Sequence, residues 1–268
     1  MSTLPLAGRS ALVTGGGRGI GFAIARRLAD SGARVAICGR DRQRLAAAAD
    51  QLRRPADQRQ RPAGAEVIAH PCDVRRPEDA QSLAGALTAA WGSIHILVNN
   101  AGISGRNPLS ESGDEHWRDI LATNLDGLYY VTKAIVPHMQ SPGGRIINLS
   151  SVLGRFGVAG YTAYCASKHG IIGFTRALAL ELAGRGITVN ALCPGWVATD
   201  MAWQGMRESA AGMGITFEEF RQQAIAGVPI GRILEPAEVA ELALYLASDA
   251  ASGITGQAIN LCGGQTMD

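Results

Sequence analysis

A strong charge of either sign is missing from this chain: 268 residues carry 25 Lys and Arg against 23 Asp and Glu, a net charge of +2. Without a basic field, generic nucleic-acid binding is not expected, although a single arginine can still meet a phosphate locally. Lysine itself is scarce. Lys133 and Lys168 are the two in the chain, and every other basic position is arginine. Cysteine is sparse and lacks paired spacing; Cys38, Cys72, Cys165, Cys193 and Cys262 are odd in number and read as small apolar side chains rather than disulfides or metal ligands. The histidines (His70, His95, His116, His138, His169) show no H-E-x-x-H or comparable spacing, so no metal is expected. No run resembles a membrane span. Met1 to Arg9 lacks the charged start and apolar core of a secretion signal, so a cytoplasmic protein is expected. No Pro/Ser-rich or charged linker and no internal repeat divides the chain, and 47% apolar content suffices for one large α/β domain over 1–268.

What is present is an alternation of short apolar runs with longer helical patterns, the signature of parallel β-α-β units. Strands are expected near 9–14, 33–38, 66–71, 95–98, 144–149, 187–193 and 257–261, and helices near 19–31, 41–54, 76–91, 114–139, 161–184 and 236–247. Runs such as Ile96-Leu97-Val98 lack polar alternation, as befits a doubly wound sheet covered by helices on both faces. The segment 53–64 is polar, basic and proline-containing, and reads as an exposed loop. The segment 200–228 interrupts the alternation with Met201, Trp203, Met206, Met213, Phe217 and Phe220; it reads as an apolar flap over a pocket, a helical pair packed on the core, or both.

Tyr164 and Lys168 stand one helical turn apart, so on a helix the phenol and the ammonium share a face. A free tyrosine titrates near pH ~10, and a cation one turn away is expected to lower that value toward neutrality. The pair therefore suggests a tyrosine proton donor.

Ala11 to Gly21 runs an apolar strand into the glycine turn Thr14-Gly15-Gly16-Gly17-Arg18-Gly19-Ile20-Gly21 and on into a helix. Glycines admit close backbone approach, and a helix N-terminus attracts an anion, so a dinucleotide pyrophosphate is expected there. The spacing is T-G-x-x-x-G-x-G rather than the literal G-x-G-x-x-G. At the end of the second strand, Gly39 takes the position usually held by an acidic ribose ligand, and Arg40 follows it. Arg40 and Arg18 around a 2′-phosphate favour NADP(H) over NAD(H). Asp41 keeps NAD(H) open, because its carboxylate could reach a ribose, although it also sits where a helix N-cap is expected.

Together these residues resemble the short-chain dehydrogenase/reductase superfamily along essentially the whole chain. The matching blocks are Thr14 to Gly21, Cys72-Asp73-Val74, Asn99-Asn100-Ala101-Gly102, Asn124, Ser151, Tyr164 to Lys168, Pro194-Gly195 and Ile254-Thr255-Gly256-Gln257. The resemblance implies a seven-stranded parallel Rossmann-type fold. It also implies that Asp73 and Val74 meet the adenine, that Asn100, Ala101 and Gly102 line the cofactor while Asn99 steadies the central strand, and that Pro194, Gly195, Val197 and Thr199 lie at the nicotinamide. Tyr164 would exchange a proton with the carbonyl oxygen of a ketone, Ser151 would hold that oxygen with Ser150 as the competing assignment, and Lys168 would bind the nicotinamide ribose. Asn124 would hold a water that passes protons to Lys168. Ser151, Leu153, Tyr164, Trp196, Met201, Trp203 and Met206 are the expected substrate contacts.

Within the superfamily, Tyr164 to Gly170, Val228-Pro229-Ile230-Gly231-Arg232 and Asn260-Leu261-Cys262-Gly263-Gly264 look most like bacterial 3-oxoacyl-carrier-protein reductases and aromatic polyketide ketoreductases. That implies a ketone or acyl thioester substrate, with an acyl carrier protein among the conceivable partners. A catabolic secondary-alcohol dehydrogenase is the alternative. Relatives commonly form tetramers through helices that correspond to 114–139 and 161–184, so a homotetramer is expected.

Overall fold

The computed structural model describes residues 4–54, 66–110 and 113–267. Among these, seven parallel strands form one sheet in the order β3-β2-β1-β4-β5-β6-β7. They are β1 (Ser10–Thr14), β2 (Arg34–Gly39), β3 (Val67–Pro71), β4 (Ile96–Asn99), β5 (Arg145–Leu149), β6 (Thr188–Pro194) and β7 (Ala258–Leu261). Adjacent side chains on one strand point to opposite faces. Ala11 and Val13 enter one apolar layer and Leu12 the other. Both faces are therefore dry, which is why the strands read as continuous apolar runs. A fully buried Leu or Ile in such a layer contributes roughly 1.5–3 kcal/mol.

One layer is covered by α1 (Gly19–Asp30), α2 (Arg42–Arg53) and α9 (Pro236–Ala247), and the other by α3 (Pro77–Trp91), α5 (Gly127–Ile135) and α6 (Thr162–Ala183). The helix expected at 114–139 is not continuous. It comprises α4 (Asp114–Leu121), a π-helical turn (Ala122–Asp126), α5 and a 3₁₀ turn (Val136–His138). The wide turn turns Asn124 inward, where its carboxamide oxygen accepts from the Ile103 N–H at 2.8 Å and its nitrogen donates to the Ile103 carbonyl at 2.9 Å. The segment 200–228 folds as α7 (Asp200–Met213) and α8 (Phe217–Ala226), closed by Gly214 at φ 68° and a Thr216/Glu219 capping box. Most of the loop expected at 53–64 lies outside the described residues.

A buried polar chain ties the centre together. Asn99 Nδ2 donates to Thr132 Oγ1 and to Asn148 Oδ1, and Asn148 Nδ2 donates to Thr175 Oγ1, each at 2.9 Å. These bonds link β4 and β5 to α5 and α6. The sheet order reverses between β1 and β4, and in open parallel sheets the crevice beyond the carboxyl ends of the strands at such a point is where ligands bind.

Candidate active site

The reversal point is pinned by side chains. Thr14 Oγ1, at the end of β1, accepts from the N–H groups of Asn100 and Ala101 at 3.0 Å each. Asn100 Nδ2 donates back to the carbonyls of Thr14 and Gly15 at 2.9 and 3.2 Å. Gly19 opens α1 at φ +55°, a conformation costly to any residue with a side chain. A Cβ at Gly21 would run into Asn100 Nδ2 and the Gly15 carbonyl. Backbone thus closes tightly around the turn from below, while Gly15, Arg18, Gly19, Ile20 and Gly21 face a cleft of about 540 Å³.

The same cleft reaches Ser151, Tyr164 and Lys168. Ser151 and Tyr164 both line the cleft, where the serine hydroxyl acts to lower the phenol's pKa, and Ser151 Oγ accepts from the Leu153 N–H at 3.1 Å. Ser150 instead donates to the Lys168 carbonyl at 2.9 Å and is tied to the scaffold. Lys168 Nζ donates to the Leu149 carbonyl at 2.8 Å and lies 5.4 Å from the Tyr164 ring centroid. Burial pushes the Tyr164 phenol up to about 12, against a smaller lowering by Ser151, and pushes the Lys168 ammonium down to about 8. This corrects the sequence-based expectation of a phenol lowered by its neighbouring ammonium: that cation lies beside the ring and is aimed at a backbone carbonyl, so desolvation of both groups prevails.

Asn124 stands behind the cleft wall; besides its bonds to Ile103, its Nδ2 donates to Ser167 Oγ at 3.1 Å. Ala101, Gly102, Pro194, Gly195, Val197 and Thr199 line the cleft. Thr14, Gly17, Arg40, Asp73 and Val74 lie outside it. Asp41 caps α2, its side chain accepting from the Arg44 N–H at 3.0 Å. The Asp73 carboxylate takes three bonds from the Arg75 guanidinium, the shortest at 2.6 Å, which hold its pKa below the usual carboxylate range. Val74 packs beside Gly127 of α5.

Of the expected substrate contacts, Leu153, Trp196 and Met201 line the cleft; Trp203 and Met206 do not. Helical geometry is the reason. With α7 lying across the cleft, the stripe at four-residue spacing, Met201, Gly205 and Ser209, faces inward. Met206 falls on another face and is fully buried, and Trp203 turns to α8, its ring edge-on to Phe217 at 6.5 Å. Phe220, expected in the flap, also lines the cleft; Phe156, Val158, Tyr161, Ser209 and Gln265 in its wall are not among the expected contacts. Tyr161 was within reach of the argument that found Lys168, since it precedes Tyr164 by three residues. Among the described residues no group of three or more His, Cys, Asp or Glu could hold a metal, and no helix is long and apolar enough to cross a membrane.

A reversed parallel sheet with a glycine turn on one side of its crevice and a Ser-Tyr-Lys set on the other defines a class, the short-chain dehydrogenase/reductase family, and the chain belongs to it. Residues 15–266 match the family model described as enoyl-(acyl carrier protein) reductase. The chain is 45% identical over 258 residues, 95% of its length and 92% of the relative's, to the granaticin polyketide synthase putative ketoacyl reductase 1 of Streptomyces violaceoruber. It is 38% identical over 263 residues, 98% of its length and 99% of the relative's, to the 3-oxoacyl-(acyl-carrier-protein) reductase FabG of Vibrio cholerae. A crystal structure of a Trp variant of actinorhodin polyketide ketoreductase with NADPH superposes with a TM-score of 0.87 at 43% identity, covering 96% of this chain and 97% of that one.

Proposed function

We propose that the chain is an NADPH-dependent ketoreductase acting on 3-oxoacyl or polyketide-type ketones, and that the whole chain works as one dinucleotide-binding catalytic domain. The observation that carries this reading is the opening of Ser151, Tyr164 and Lys168 into the same cleft as the Gly15 to Gly21 turn. The residues fit a dinucleotide: Gly15, Gly19 and Gly21 line the cleft with backbone alone, and Arg18 stands at its rim with 58% of its side chain exposed. When bound, NADPH supplies the hydride for the carbonyl carbon.

The chain's own residues do the rest. Ser151 holds the carbonyl oxygen, and Tyr164, neutral because it is buried, gives that oxygen its proton. Lys168 holds the nicotinamide ribose while anchored on the Leu149 carbonyl. Asn124, fixed to Ile103, supports a water on the proton path to Lys168. Arg18 and Arg40 meet the 2′-phosphate, Asp73 and Val74 the adenine, and Val197 and Thr199 the carboxamide. Helices α7 and α8 cover the substrate, with α7 fastened at its start by Arg18 donating to Asp200 at 3.4 Å and further along by the Arg106 N–H donating to Glu208 at 3.2 Å.

A panel of ketones and 3-oxoacyl thioesters assayed with NADPH and with NADH tests the reading. Turnover of thioesters with NADPH is expected, and Tyr164→Phe should lower kcat by roughly 10²- to 10⁴-fold in a folded variant. Inactivity on every thioester, or oxidation of simple alcohols with NAD⁺ as the faster reaction, would favour the alcohol dehydrogenase alternative. A homotetramer through α4, α5 and α6 is supported by apolar side chains left in solvent there, Leu180 at 83% and Tyr129 at 43% exposure. Light scattering should give four times the monomer mass; a stable monomer would contradict it.

A further inference from the structure

The cleft is mostly apolar beyond its catalytic end, with Leu153, Phe156, Val158, Trp196 and Phe220 in its walls. Against that background a second hydroxyl pair stands out. Tyr161, at the start of α6, and Ser209, on the inward stripe of α7, both line the cleft, their oxygens 2.9 Å apart. Tyr161 also donates to the Gly205 carbonyl at 3.2 Å. The pair has two protons, and outside it the Tyr161 hydroxyl meets that carbonyl, which lies within α7. Either Tyr161 gives its proton to Gly205 and Ser209 donates to Tyr161, or Tyr161 donates to Ser209. In the second arrangement the Ser209 proton is left for an oxygen in the cleft. Tyr161, the N-cap of α6, is three residues before Tyr164, and Ser151, Tyr161, Tyr164 and Ser209 all line the one cleft, so the two sets of hydroxyls can address two oxygens of one small molecule.

We propose that Tyr161 and Ser209 form a second oxygen-recognising site, which selects substrates carrying another carbonyl close to the one reduced, such as the thioester carbonyl of a 3-oxoacyl group. Apolar walls then make the missing oxygen costly, because a buried donor is left without a partner. This rests on the ketoreductase reading and sharpens it, since a simple hydrophobic ketone offers nothing to the second pair. Neither residue is asked to transfer a proton; both are specificity-determining.

The test compares 3-oxobutanoyl-N-acetylcysteamine with the thioether analogue in which a methylene replaces the thioester carbonyl. The ratio of their kcat/KM values, thioester to thioether, is measured for wild type, Tyr161→Phe and Ser209→Ala. Loss of one neutral hydrogen bond is worth about three- to tenfold, so the ratio should fall by that much in both variants, through KM of the thioester. If the pair serves only to fasten α7, both substrates suffer alike, the ratio stays constant and the proposal is overturned. An unchanged ratio in Ser209→Ala alone overturns it as well. Should wild type reduce neither compound, the ketoreductase reading fails on its own account. Calorimetric titration with the thioester then decides the site, with threefold or more weaker binding to Tyr161→Phe supporting it and equal binding overturning it.

Discussion

Lys168 Nζ lies 5.4 Å from the ring centroid of Tyr164 while donating to the Leu149 carbonyl at 2.8 Å, so the two groups that resemblance pairs in one reaction are packed side by side, the lysine buried and the tyrosine half-buried at the cleft wall. Desolvation moves them in opposite directions, the ammonium down to about 8 and the phenol up to about 12. Between them the folded protein favours the neutral form of each.

That arrangement predicts a pH profile for stability. The unfolded chain holds the Lys168 proton up to its ordinary value of 10.5, whereas the folded protein releases it near 8, so stability rises with pH across that window. Below pH 8 both states hold the proton and the burial cost is fully present, about 3 kcal/mol. Tyr164 acts oppositely: its ordinary value of 10.0 rises to about 12, and stability is lost as pH climbs between the two. Denaturant titrations of wild type and Lys168→Met should give a stability difference that moves by about 3 kcal/mol in favour of wild type from pH 7 to 10.5. A flat difference would contradict the buried ammonium.

Arg40 is exposed at the carboxyl end of β2, and Asp41, the nearest carboxylate that could have served a ribose, is committed to the N-terminus of α2. Arg40→Asp should therefore weaken NADPH binding by about 10- to 100-fold, the worth of a charge-assisted hydrogen bond, and NADH binding hardly at all. Dissociation constants from fluorescence titration check this; equal losses would remove the 2′-phosphate role.

At Gly21 an added methyl meets the Asn100 side chain and the Gly15 carbonyl, neither of which can withdraw without breaking the bonds that join β1 to β4. Gly21→Ala should cost about 1–3 kcal/mol by overpacking and weaken dinucleotide binding in whatever fraction folds. Thermal melts with and without NADPH measure both. A variant of normal stability and affinity would show that the turn is looser than its contacts require.

Asn148 bridges Asn99 and Thr175 in the dry centre of the molecule. Asn148→Leu takes the acceptor from one Asn99 N–H and the donor from Thr175 Oγ1, each costing about 1–3 kcal/mol. The midpoint of denaturation should fall accordingly, and double substitution with Thr175→Val should recover part of the loss.

Much of this molecule could be read from its sequence. Apolar runs at regular intervals located all seven strands to within a residue or two, because strands covered by helices on both faces are mostly apolar along their length. The shared helix face of Tyr164 and Lys168 was legible from helical period, and the N-cap place of Asp41 from capping chemistry. The break at Ala122–Asp126 was not, because what turns Asn124 inward is the backbone of Ile103, distant in sequence. The preference for Ser151 over Ser150 came from resemblance, and the bond from Ser150 to the Lys168 carbonyl, between segments distant in the chain, is what the sequence did not show.

Local periodicity and turn chemistry, which act over a few residues, therefore determined by themselves the class of fold and the glycine turn at the switch point, and placed Tyr164 and Lys168 on one helix face; the roles assigned to that pair came from resemblance. Tertiary structure decided what depends on contacts between distant segments. It set the environment that drives Tyr164 and Lys168 apart in acidity. It also chose the face of α7 that meets the cleft, where bulky Trp203 and Met206 turn away and small Gly205 and Ser209 come to stand beside Tyr161.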